Sequence, residues 1–171
     1  MNFIIMVIEA TIYSLIEIEI EGCNGWAQEL PTPIVLKIGT KKLTLYHVYM
    51  NIFIFLTISS QFQMMLTFQS FLKTFAYFLQ FLLLEDVLWF VFNPFYTMRR
   101  YSKPEIWWHS QQPWILGIPF DNYCISFYCI SISCLQSDFQ IFMYLIFCYF
   151  YIFLCIQVAP FYHTFYRKLH N

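Results

Sequence analysis

Charge is what this chain has least of. Asp, Glu, Lys and Arg together make up 11% of its 171 residues, where a soluble domain carries roughly 25%. That is too little to coat a globule in water. Glycine is also scarce, with 4 residues and no GxxxG pair, so close small-residue helix crossings are not expected. A basic stripe is missing too: the net charge is −1, which excludes nucleic acid as a partner, since nothing is there to meet its phosphates. No HExxH, HxxxH or ExxH occurs, so no helix offers two metal ligands on one face. The six cysteines form no CxxC and no zinc spacing with histidine; five lie in apolar stretches, where free Cys behaves as a small hydrophobe.

What the chain does have is apolar bulk. Hydrophobic residues reach 60%, with 21 Phe and 13 Tyr, and the mean hydropathy is +0.57. The expected fold class is an all-α integral membrane protein of one domain, a bundle of about five transmembrane helices held together by aromatic packing. Judged against the roughly 20 apolar residues a bilayer needs, the spans fall at about 2–20, 43–66, 71–93, 119–136 and 139–160. The first has no basic region before it and no small-x-small site after it, so it is expected to stay as a span rather than be cleaved as a signal peptide.

The basic residues set the orientation. Lys37, Lys41 and Lys42 lie in the loop 21–42; Arg99, Arg100 and Lys103 lie in the loop 94–118; Arg167 and Lys168 lie in the tail. With five spans these eight share one side, and only Lys73 is opposite. The positive-inside rule then puts the N-terminus out, the C-terminus in, and the protein in the plasma membrane. Four spans would send Arg167 and Lys168 to the other face. The seven prolines sit in, or at helix ends beside, the cytoplasmic loops; Pro160 is expected to close the fifth helix, because proline lacks an amide donor and its ring clashes with the preceding turn.

Inside the spans a few polar residues recur at helical spacing. In FLLLEDVLWFVFNP, Asp86, Trp89 and Asn93 share a face, with Glu85 beside them. Glu85 precedes Pro94 by nine residues, ~13 Å inside the cytoplasmic end. His47 and Asn51 are i,i+4 neighbours on the second span; Glu17, Glu19 and Glu21 end the first, Asp121 and Asn122 begin the fourth, and His163 closes the fifth. Intramembrane ionisable groups normally face the bundle interior, paired. The expectation is a polar pocket open to the cytoplasm, with Glu85, Asp86, His47 and His109 as catalytic candidates. Asn51, Trp89, Asn93, Asp121, Arg99 and Arg100 are the ligand-binding candidates. A divalent metal, if held, would use His47, Glu85, Asp86 and His109. The competing structural reading is that the acids only hydrogen-bond His47, Asn51 or backbone and lock the helices together.

Three further stretches are distinctive. GWAQELPTP (25–33) reads as a fixed interfacial loop. WWHSQQPW (107–114) reads as an aromatic belt at the headgroup level, while His109 with Arg99, Arg100 and Lys103 suits anionic head groups. LIEIEIEG (15–22) alternates acid and Ile, a period-two pattern that predicts a change to extended chain near Glu17.

The order GWAQELPT, LYHVYMN, LEDVLWFVFNP, WWH and GIPFDNY resembles a family of small, uncharacterised multi-pass membrane proteins of bacteria and archaea. The ED-x-x-W-x-x-x-NP element is its most specific part, and the resemblance covers roughly residues 9–123. It implies a membrane bundle and singles out Trp26, His47, Glu85, Asp86, Trp89, Asn93, His109 and Asp121 as a set, without a reaction. Three functions remain open at this level. One is an enzyme or binding protein for a lipid or apolar substrate. The second is a small proton-coupled transporter, with Glu9 and the Glu85/Asp86 pair marking a path. The third is a non-catalytic subunit that binds a protein partner through its Trp-rich cytoplasmic loops.

Overall fold

A computed structural model describes residues 2–39, 41–62, 67–96 and 98–170, without the side chain of Arg99. The architecture is five α-helices with two small hairpins at one end. Helix α1 spans Phe3–Glu21. Strands β1 (Ile34–Ile38) and β2 (Lys41–Thr44) pair antiparallel. Helices α2 (Leu45–Gln61) and α3 (Phe68–Phe92) follow. After two short 3-10 turns, Met98–Arg100 and Trp107–His109, strands β3 (Trp114–Ile115) and β4 (Ile118–Pro119) make a second hairpin. Helices α4 (Phe120–Leu135) and α5 (Phe139–Leu169) complete the chain.

Local chemistry sets these boundaries. The Asn2 side chain accepts from the amides of Ile4 and Ile5, and Gly22, at φ +63°, closes α1 with its N–H on the Ile18 carbonyl. Thr67 and Ser70 cap the start of α3 reciprocally, and Asn93 followed by Pro94 ends it. Asp138 caps α5 through the Gln140 amide.

Helix α3 is the centre of the bundle and packs against all four others. With few small residues, rings fill the contacts: Phe55 meets Phe78 edge-on at 5.5 Å between ring centres, and Phe75 meets Tyr128 at 5.8 Å. Helices α1, α3 and α5 have their C-terminal ends, and α2 and α4 their N-terminal ends, at the hairpin end. There His163 contacts the Val91 carbonyl and Tyr46 bonds Glu17. Lys73 and Asp138 pair at the opposite end.

Several expectations change. Among the described residues two helices, α3 and α5, are long and apolar enough by length and composition to cross a membrane. Helix α1 carries four glutamates, and α2 and α4 have only 17 and 16 residues. Residues 43 and 44, expected in a span, belong to β2, while 63–66 lie outside the described residues. The two hairpins were not expected; each borrows the residues just ahead of a helix. Helix α1 stays helical through the period-two stretch, because its glutamates divide between two faces. Glu17 and Glu21 are half-buried toward the bundle, while Glu19 is exposed. Pro160 lies inside α5, which runs on to Leu169. The lost hydrogen bond is offset by contacts of the last turns, where Tyr162 packs edge-on against Phe92 and Arg167 donates to the Pro94 carbonyl.

Candidate functional site

At the hairpin end the helices splay around a cavity of about 250 Å³, walled by α1, α2, α3, α4 and the loops. Helix α3 contributes Glu85, Asp86 and Trp89; α2 contributes His47 and Asn51; α4 contributes Asp121 and Asn122; β2 contributes Lys41, and the connections contribute Trp26, Trp108 and His109. Helix α1 adds Tyr13, Glu17 and Glu21.

Adjacent in sequence, Glu85 and Asp86 turn to different partners, since one helical step rotates ~100°. Glu85 is buried and faces Glu17. Glu17 also accepts from the Tyr46 hydroxyl at 3.1 Å. Glu21 accepts the Ala27 amide at 2.7 Å, which fastens a turn where Gly25, Trp26 and Ala27 all have positive φ. Gly25 is required there: a Cβ would meet the Trp108 ring at 2.7 Å.

Asp86 faces His109 instead. The His109 ring lies between two carboxylates, Nε2 at 3.4 Å from Asp86 Oδ2 and Nδ1 at 3.3 Å from Asp121 Oδ2. Gln112 fixes Asp121, donating from Nε2 to Oδ2 at 3.0 Å and accepting the Asp121 amide at Oε1. Burial opposes a charge on His109, but the Asp86 and Asp121 carboxylates outweigh it and push the imidazole up to about 9. Burial lowers Lys41, with Asp86 and Asp121 acting the other way.

His47 is buried and held by its own helix start: Nδ1 accepts the Thr44 amide at 3.2 Å. The neutral ring then carries its proton on Nε2, which has no hydrogen-bond partner. Trp26 packs on this ring at 4.7 Å between centres. Asn51 Nδ2 donates back to the His47 carbonyl at 2.7 Å. Trp89 and Trp108 meet edge-on at 5.8 Å, and their indole Nε1 atoms are likewise buried without partners.

Some candidates fall elsewhere. Asn93 is fully buried, but its Nδ2 donates to the Gly22 carbonyl at 3.0 Å and its Oδ1 accepts the Phe95 amide; it ties α3 to the end of α1. Arg100 pairs with Glu105 at 2.8 Å, donates to the Phe95 carbonyl and stacks on Tyr96. It stays with its own loop because those partners lie within five residues. The Arg99 side chain lies outside the described residues. Trp108, expected in an interfacial belt, is 4% exposed and stacks on Phe90 at 5.6 Å. Glu9 lines a separate apolar groove rather than this cavity. Among the described residues no group of three His, Cys, Asp or Glu side chains is placed to hold a metal ion: of the four expected ligands, Glu85 turns to Glu17, His47 turns to Thr44, and His109 and Asp86 alone meet. The cysteines are all free.

Sequence reasoning passed over Glu17, Glu21, Tyr13 and Lys41 as site residues. Glu17 and Glu21 were within reach, since i,i+4 spacing puts them on one helical face with Tyr13. Lys41 was not, because only the hairpin returns it to the cavity.

No known protein family, curated protein or solved structure matches this chain. Its function has to be argued from the site.

Proposed function

We propose that the chain is a five-span protein of the plasma membrane, N-terminus out and C-terminus in. Its cytoplasm-side cavity binds the polar end of a lipid or other apolar substrate. What carries the reading is the cavity itself, a polar chamber at one end of a bundle whose outside is apolar. Ile4, Ile8, Ile12, Ile16 and Ile20 form a stripe along α1, each 41–61% exposed. Phe150, Phe153, Phe161 and Phe165 are exposed on α5, of whose most apolar stretch only 33% is buried inside the chain. Water-soluble monomers rarely carry apolar patches of this extent. The alternating helix directions bring both hairpins and the C-terminal end to one side, together with Lys37, Lys41, Lys42, Arg100, Lys103, Arg167 and Lys168. That asymmetry suits a cytoplasmic face.

The short α2 and α4, ~25 Å and ~24 Å long, suit a span of ~30 Å if the bilayer thins locally or the hairpins sit in the headgroup layer. His109, held between two carboxylates, is the group equipped to give or take a proton at the bound head. Reporters fused after Asn171 and inserted at Ser137 test it, with mass spectrometry of lipids that co-purify in mild detergent. The C-terminal fusion is expected to read cytoplasmic and the Ser137 insertion external, with a lipid retained by the wild type and lost in Asp86→Asn. The same side for both reporters would refute the five spans; the same lipid content in the variant would refute the binding role of the cavity.

A further inference from the structure

We infer that the polar cavity and the apolar groove beside it form one continuous site for a single-chain amphiphile whose head carries an ammonium and a hydroxyl. This rests on the membrane-embedded binding role proposed above and names the ligand class.

The groove comes first. Helix α1 packs on α3 and α5, and α2 packs on α3, which leaves a cleft of about 250 Å³ between α1 and α2, lined by Ile12, Ile16, Phe53, Ile54 and Ile58. Tyr13 lines both this cleft and the polar cavity, and so is the side chain at which the two adjoin. From Glu9 to Glu17 the path along α1 is ~12 Å. Apart from Glu9 and Thr57 its walls are apolar, and its outer side lies on the surface proposed above to face lipid, so an alkyl chain is the occupant that fits it.

The head follows from charge. Ion pairs with His109 reach Asp86 and Asp121, but among the described residues no Lys, Arg or His pairs with Glu17, Glu21 or Glu85. Glu17 and Glu85 contact each other and two tyrosines. A cluster of one buried and two half-buried carboxyls without an ion-pair partner among the described residues, rimmed by Trp26, Trp89 and Tyr13, is a setting for an ammonium, which gains from both acids and ring faces. Lys41 already shows the geometry, its ammonium 4.7 Å over the Trp26 ring.

His47 supplies an independent observation. It is 7% exposed and lines this cavity, while Thr44, which takes its Nδ1, lines a different one. The unpartnered Nε2–H is therefore the edge turned to the cavity, and it calls for an acceptor such as a hydroxyl oxygen on the ligand.

The test uses the full chain in nanodiscs of phosphatidylcholine, with tryptophan fluorescence as readout and empty nanodiscs as the partition baseline. N-dodecylethanolamine is expected to bind saturably. Dodecanol, without the ammonium, is expected to bind about tenfold more weakly or worse, as for loss of a charge-assisted hydrogen bond. Ethanolamine, without the chain, should give no saturable signal over the same range. Glu85→Gln and Glu17→Gln should each weaken the probe about tenfold, and Ile54→Trp should weaken it by filling the groove. Thermal midpoints check that each variant is folded. Dodecanol binding as tightly as the probe would overturn the ammonium assignment; ethanolamine binding equally well would overturn the groove. No saturable binding of any probe, with both reporters reading five spans, would overturn this ligand class and leave the membrane topology standing. Reporters on one side would remove the reading beneath it.

Discussion

Raising the pH should unlock the loop end of the bundle through one residue. His109 carries its charge between Asp86 and Asp121, with its ring at about 9 against an ordinary 6.5. A histidine raised on folding adds stability that is fully present below 6.5 and is lost as the pH climbs through about 9. One pH unit of that gap is worth about 1.4 kcal/mol, so the full effect is about 3 kcal/mol. The His109 side chain is only 6% exposed, so solvent screening removes little of it. The assay is unfolding in mixed detergent micelles, comparing wild type with His109→Gln from pH 6 to pH 10. The wild type should exceed the variant by about 3 kcal/mol at pH 6, and the difference should close above pH 9 as the ring becomes neutral. A difference independent of pH would mean that His109 contributes only by shape and neutral hydrogen bonds, and would refute the ion-pair argument.

Two other substitutions probe the frame around the cavity. Asn93→Ala removes the bond to the Gly22 carbonyl and the acceptor for the Phe95 amide, and should cost about 1–3 kcal/mol. Because Asn93 lies outside the cavity, lipid retention per folded molecule should be unchanged; loss of retention at full stability would return Asn93 to the site. Gly25→Ala combines a positive φ with a 2.7 Å approach to the Trp108 ring. It should destabilise by at least about 1 kcal/mol, read in the same unfolding assay, and shift tryptophan emission; a neutral result would show that the Trp108 ring yields easily.

Much of this arrangement was legible because membrane-like sequences are blunt. The starts near residues 2 and 139 and the stop before Pro94 follow from apolar runs and proline, and the structure supplies the Asn2 and Asp138 caps behind them. The tight turn between α4 and α5 was equally plain from composition. The cavity was half legible, since acids and histidines near one end of apolar helices have to be buried together. The sequence did not reveal their distribution within it. Glu85 and Asp86 read as neighbours in one polar pocket, but the helical step separates them toward Glu17 and His109. Period two in LIEIEIEG suggested a strand, but a helix that shows one face to the cavity and another to the outside can carry the same letters. The hairpins escaped notice because Ile34–Ile38 and Lys41–Thr44 are short, and their pairing depends on a turn at Gly39 rather than on a long alternating run. Arg100 was misplaced for a related reason: proximity in sequence to His109 said nothing of Glu105, which captures it first.

The carboxyl pair itself separates structural from functional roles. Glu17 and Glu85 face each other across α1 and α3, and Tyr46 donates to the same Glu17. If their purpose were only to lock α1 to α3, Glu85→Gln would serve as well, because an amide donates to a carboxylate without a borrowed proton. The structural cost should then be within about 1 kcal/mol, whereas Glu85→Ala strands the Glu17 carboxyl in a buried place and should cost about 2–3 kcal/mol. A binding role adds a different signature. Glu85→Gln keeps the lock but lowers the negative charge a cation would meet, so it should lose ligand while staying folded. Stability near wild type together with full lipid retention would make the pair structural; stability near wild type with retention lost would make it part of the site. Unfolding and lipid mass spectrometry on the same purified variant read both quantities at once.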